Sequence, residues 1–153
     1  MFLTKKLFAS IIQNTPLVSI DLIVENDVGE ILLGKRINEP AKNFWFVPGG
    51  RIFKDESLDS AFERIVQEEL GISLKRSDAH FQNVYEHFYK NNVFNENIST
   101  HYIVLAYKLK TTQQPLLNSQ HSKYCWFKYQ DILTNPHVHQ YTKNYFLDST
   151  QQK

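Results

Sequence analysis

Apolar residues fall at helical spacing over residues 58–70. Leu58, Ala61, Phe62, Ile65 and Val66 stand at i, i+3 and i+4 intervals, which lines them up as one stripe on a helix. Asp55 or Ser57 can cap its first turn, where free N–H groups need acceptors. Gly71 can close it in a left-handed backbone. Thr4 precedes a shorter run of the same period, Leu7, Phe8, Ile11 and Ile12. That run predicts an amphipathic helix with the four residues inward, ended by Pro16.

Elsewhere the pattern reads as strands. Residues 17–25 are rich in Val, Ile and Leu and predict a strand. A turn over 26–29 returns the chain as a second strand over 30–33, followed by Lys35 and Arg36 and a polar loop over 37–43. Phe44, Trp45 and Phe46 lead through Pro48 to Gly49 and Gly50, a short strand with a sharp turn. Further strands are predicted over 82–90, 101–110 and 123–127, with loops over 74–80, 91–99 and 111–118. A helical turn over 129–133, a closing helix over 138–147 and a frayed polar end over 149–153 complete the chain. Hairpins around one long helix imply an α+β fold, a mixed β-sheet with helices on both sides.

Composition narrows the field. At 153 residues the chain suits a single domain spanning 1–153 that buries roughly two-thirds of its unfolded surface. A net charge of +1 gives no electrostatic reason to expect nucleic acid or a membrane as partner. No stretch is long and apolar enough to span a bilayer. Lys5-Lys6 and the apolar run after them do not make a secretion signal, because the run is short and meets Gln13-Asn14. The single Cys125 excludes an intrachain disulfide and fits a reducing, cytoplasmic setting as a half-buried thiol.

Candidate chemistry gathers at the end of the long helix. Glu68 and Glu69 occupy its last turn, where the helix dipole is already negative. A divalent cation would resolve that conflict, and Arg64, four residues before Glu68, can hold it. A solvated acidic face is the plainer alternative. Asp21 interrupts the first strand between Ile20 and Leu22. It either pairs with a partner or faces outward. Arg36 is a candidate phosphate clamp and Arg51, beside the glycine pair, a second phosphate contact.

The stretch 50–72 resembles the Nudix box, G-x5-E-x7-R-E-U-x-E-E-x-G-U. Gly50, Glu56, Arg64, Val66, Glu68, Glu69, Gly71 and Ile72 match it, and Ile65 stands where the box has Glu. The resemblance implies the Nudix fold, an α/β/α sandwich. The box Glu serves ordinary Nudix hydrolases in diphosphate cleavage, so its loss implies inactivity or a base from elsewhere. The wider chain, from about Met1 to Phe146, is similar to the GDP-mannose mannosyl hydrolases, through TPLVSIDLIVEN, LLGKR, WFVPGGR, EHFY, THY and a late QH.

That resemblance implies hydrolysis of GDP-mannose or GDP-glucose at the sugar carbon, Mg²⁺ as cofactor with Mn²⁺ as substitute, and a homodimer. It puts Asp21 and His87 at the sugar and Arg36 and Tyr102 at the phosphates. His121 is the expected base, and Glu69, Gln120 and the Gly49 carbonyl the expected metal ligands. By the general box, Glu68 would be an extra metal contact or would sit just behind the ligands, and Arg64 would hold the carboxylates or reach the diphosphate. Imidazole suits proton removal near neutrality, and a terminal phosphate with a second pKa of about 6 leaves without a general acid. A conventional Nudix pyrophosphohydrolase and a non-catalytic nucleotide-sugar sensor are the alternatives.

Overall fold

The computed structural model describes residues 2–94, 96–112 and 121–147. Its central strand is β1, Leu17–Glu25, flanked by a helical layer on each face. α1, Lys5–Asn14, precedes it, with the Leu7 N–H donating to Thr4 Oγ1 at 3.3 Å as the N-cap. Only Ile12 of the four residues predicted inward is buried. Leu7 is 50% exposed, and Phe8 packs edge-on against Phe94 and under the Arg51 guanidinium.

β2, Ile31–Arg36, carries Lys35 and Arg36 within the strand, not after it. Long-range pairing extends it: β7, His121–Phe127, runs antiparallel along β2 from Ile31↔Phe127 to Arg36↔His121. β3, Trp45–Phe46, pairs with the far end of β2. β4, Gly49–Arg51, lies against β1 with Gly49 opposite Asp21. The glycine pair is pinned at both ends, by Leu22 N–H to Pro48 O at 2.8 Å and Ile52 N–H to Val18 O at 2.8 Å.

α2, Leu58–Leu70, starts at an N-cap made by Ser57, not Asp55, and stops at Gly71 with φ of 65°. A 3-10 turn at Arg76–Asp78 leads to β5, His80–Tyr89, which pairs antiparallel with β6, Thr100–Lys110. β6 runs parallel to β1 along its whole length. The sheet order is β3-β2-β1-β6-β5, with β4 beside β1 and β7 beside β2.

Alternation along β1 divides the core. Ile20, Leu22 and Val24 pack with Phe62, Ile65, Val66 and Leu70 of α2. Ile23 faces the other way and packs with Ile132, Val138 and Tyr145. This second layer is α3, Tyr129–Thr134, α4, Gln140–Lys143, and a 3-10 turn at Asn144–Phe146. The predicted closing helix is thus broken into two short pieces. Trp45 ties the layer to the sheet, its N–H donating to His137 O at 2.8 Å and its carbonyl accepting from His139 N–H at 3.2 Å. Cys125 is exposed, not half-buried.

Candidate active site

The cleft opens on the sheet face opposite α2. β1 supplies Asp21, β2 Arg36, β4 Gly49 and Arg51, β5 His87 and β6 Tyr102. Six residues singled out from sequence therefore meet, although they span more than eighty positions of the chain. Phe46, Tyr89, Asn38 and Pro40 complete the walls.

Asp21 shares its face of β1 with Ser19 and Ile23, both buried, so it does not belong to an outward-facing row. Its partner is Tyr145, whose hydroxyl donates to Asp21 Oδ2 at 2.5 Å. Burial pushes the Asp21 carboxyl up from 3.8 to about 6, against the Tyr145 hydrogen bond and the nearby Arg36, both of which favour the ionised form. Burial likewise pushes the His87 imidazole down to about 3, helped by His139, and raises the Tyr89 and Tyr102 phenols.

The two arginines of the cleft are held by rings rather than carboxylates. The Arg36 guanidinium lies 5.5 Å from the Phe46 ring centroid. Its Nε is buried and has no hydrogen-bond partner among the described residues. A buried guanidinium N–H without an acceptor is costly, and an anionic ligand in the cleft would satisfy it. Arg51 lies over Phe8 and Phe53, at 5.0 and 4.9 Å.

Arg64 is not among the cleft's walls. Its Nε and Nη2 donate to the two Glu56 oxygens at 2.6 and 3.0 Å, and its Nη1 to Glu68 at 3.0 Å. Nη2 also donates to the Arg51 carbonyl at 2.8 Å. The Glu56 carboxyl is held below its usual range, chiefly by the Arg64 hydrogen bonds. Three matching box positions thus brace the chain beside Arg51.

The metal ligands expected from sequence divide differently. Glu69 is buried, 2% exposed, in the last turn of α2, and α2 packs against β1 and β4. Glu69 and the Gly49 carbonyl offer the hard oxygen donors that Mg²⁺ takes, so the donor chemistry fits. Glu68 is committed to Arg64. Gln120 lies outside the described residues. His121 begins β7 opposite Arg36, which brings its backbone to the edge of the cleft.

Sequence reasoning missed the aromatic support behind these residues. His87 stacks on Tyr141 at 4.3 Å with 5° between the planes. His139 stacks on Phe46 at 4.8 Å, and burial beside Arg36 lowers its imidazole to about 4. The three C-terminal rings, His139, Tyr141 and Tyr145, carry no local pattern. Only the density of aromatics over 139–146 hinted at them.

The two glycines of β4 make different demands. A Cβ on Gly49 would come within 2.4 Å of Asp21 Oδ1 and 2.6 Å of Ile20 O, whereas one on Gly50 would meet only the Ile65 side chain, at 3.2 Å. Gly49→Ala should therefore displace Asp21 or the strand, costing about 1–3 kcal/mol. Gly50→Ala should cost less, since Ile65 can shift. Urea unfolding of the two variants compares them directly.

Known proteins place this architecture. The profile of the NUDIX domain matches residues 15–148. The chain is 37% identical over 133 residues to the low-salt glycan biosynthesis protein Agl8 of Haloferax volcanii, covering 86% of this chain and 83% of that protein. It superposes on a MutT NUDIX hydrolase from Burkholderia pseudomallei with a TM-score of 0.69 at 28% identity, covering 86% of this chain and 96% of that one. A MutT protein from Methanosarcina mazei shares the fold, with a TM-score of 0.70 at 22% identity over 87% of this chain and 92% of that one. Matched in sequence and in fold over most of its length, this chain belongs to the Nudix family.

Proposed function

We propose that this Nudix protein hydrolyses a GDP-sugar, GDP-mannose or GDP-glucose, at the anomeric carbon, releasing GDP and the free sugar with inversion. Ile65 carries the reading. The position where the box has its Glu is filled by a buried aliphatic side chain, which can neither take a proton nor bind a cation. Meanwhile the opposite face gathers Asp21 and His87 with two arginines in one cleft. That is the pairing a sugar and a diphosphate require. A relative in glycan biosynthesis suits a chain that acts on activated sugars.

In this reading Asp21 and His87 hold the sugar. Arg36, Arg51 and Tyr102 take the phosphate oxygens, and the free Arg36 N–H finds its acceptor there. His121 removes the proton of the attacking water. The water oxygen bonds to the anomeric carbon, the bond from that carbon to the diphosphate oxygen breaks, and its electron pair leaves with GDP. Arg64 braces the Arg51 backbone. Glu69, the Gly49 carbonyl and Gln120 would hold Mg²⁺ or Mn²⁺, with Glu68 beside them. A bound cation would offset the charge that develops on the departing diphosphate.

Product analysis in water enriched in heavy oxygen, with Mg²⁺ and GDP-mannose, tests the reading. The expected products are labelled free mannose and unlabelled GDP. GMP and mannose 1-phosphate, with label on a phosphate, would establish conventional pyrophosphohydrolase chemistry instead. Binding without turnover would mark a sensor.

A further inference from the structure

The 3-10 turn at Asn144–Phe146 sets Tyr145, whose side chain is buried, behind two residues of the cleft. Its backbone is fixed by Gln82, which donates from Nε2 to Tyr145 O at 2.8 Å, and its ring packs edge-on against Tyr85 at 4.7 Å. The hydroxyl stands between two residues of the cleft. It donates to Asp21 Oδ2 and lies 3.3 Å from His87 Nε2.

A phenol has one proton to give. Here the Asp21 carboxylate takes it, so the phenolic oxygen can only accept from His87, and Nε2 must carry the hydrogen. Burial keeps His87 neutral, and a neutral imidazole has a single N–H. Nδ1 is then a bare acceptor, and no described residue donates to it. The ring cannot readily turn over, because it lies flat on Tyr141. Tyr141 is itself clamped, its hydroxyl donating to Phe88 O at 2.8 Å and accepting from Phe88 N–H at 2.9 Å.

We infer that Tyr145 is a positioning residue that sets the hydrogen-bond polarity of the cleft: by giving its proton to Asp21 it holds His87 as the Nε2–H tautomer, leaving His87 Nδ1 and Asp21 Oδ1 as acceptors for sugar hydroxyls. The sugar part rests on the proposed function; the tautomer part does not. A polyol offers neighbouring hydroxyl donors, and a site that presents two fixed acceptors selects it over a group without them.

The test reads the His87 ring nitrogens by long-range nitrogen–proton NMR near neutral pH, in the wild type and in Tyr145→Phe. The wild type should show the Nε2–H form alone. The variant, which lacks one oxygen, should show Nδ1–H or a mixture. It should also bind the GDP-sugar about tenfold more weakly while binding GDP unchanged. A wild-type His87 with its proton on Nδ1 overturns the inference without any variant. An unchanged tautomer in Tyr145→Phe overturns it as well. Equal losses for GDP and the GDP-sugar would remove the acceptor pair. A wild type that binds no GDP-sugar defeats the proposed function instead, and the tautomer result still decides this one.

Discussion

Asparagine at Asp21 is expected to stabilise the fold at neutral pH and to damage the activity. Burial raises the carboxyl from 3.8 to about 6, so above that range the folded protein holds a charge it would rather not bury. Two units correspond to about 3 kcal/mol, and the amide removes most of that cost while still accepting from Tyr145. The sign with pH follows from the raised value. The protonated group's contribution is fully present below 3.8 and is lost as pH rises through about 6. Asp21→Asn should therefore match the wild type near pH 4 and exceed it increasingly up to pH 6 and above, by about 2–3 kcal/mol in urea unfolding. His87 and His139 act in the opposite sense. Both are depressed from 6.5, to about 3 and about 4, and cost stability as pH falls below 6.5. On the proposed reaction the variant should lose roughly 10–100-fold in kcat/KM, the loss of a charged hydrogen-bond acceptor in the cleft. Equal stability of variant and wild type at pH 7 would refute the strain assigned to Asp21.

The second large effect concerns Ile65. Restoring the motif with Ile65→Glu puts a carboxylate where the side chain is 1% exposed and packed with Phe62 and Leu70 under β4. A buried charge without a partner costs on the order of 3–5 kcal/mol, or is avoided by protonation. The variant should lose about 3 kcal/mol or more when unfolded in urea with chelator present. The loss should deepen as pH rises through the raised carboxyl value. Ile65→Gln, equally polar in shape but uncharged, should lose less and show no such pH dependence. If Ile65→Glu were as stable as the wild type, the side chain would be reaching solvent, and the helix would be turned differently from the one described here. On the proposed reaction, the products should not change to GMP and sugar phosphate.

Local signals carried much of the fold. β1 ends where its run of Val, Ile and Leu ends, and α2 begins at Ser57 and stops at Gly71 because capping and left-handed backbone are local matters. The extension of β2 through Lys35 and Arg36 was not legible, because β7, more than eighty residues on, supplies the hydrogen bonds. The inward face of α1 was overdrawn, since spacing says which residues share a stripe but not whether the sheet reaches under it. At the site, Asp21 announced itself by polarity among apolar neighbours. Its partner did not, because nothing near Tyr145 in the chain distinguishes it from a core tyrosine.

The placement of Tyr145 also bears on synthesis. Tyr145 leaves the ribosome 124 positions after Asp21, its hydrogen-bond partner. The sheet cannot close its second layer, nor the cleft its inner wall, until residues 137–146 have emerged and docked along Trp45. A nascent chain stalled before that point would expose the box helix and its glycine turn while lacking a finished substrate cleft. A shorter nascent chain therefore carries the box helix without the hydrogen bond that fixes Asp21, and the site is complete only once Tyr145 has docked.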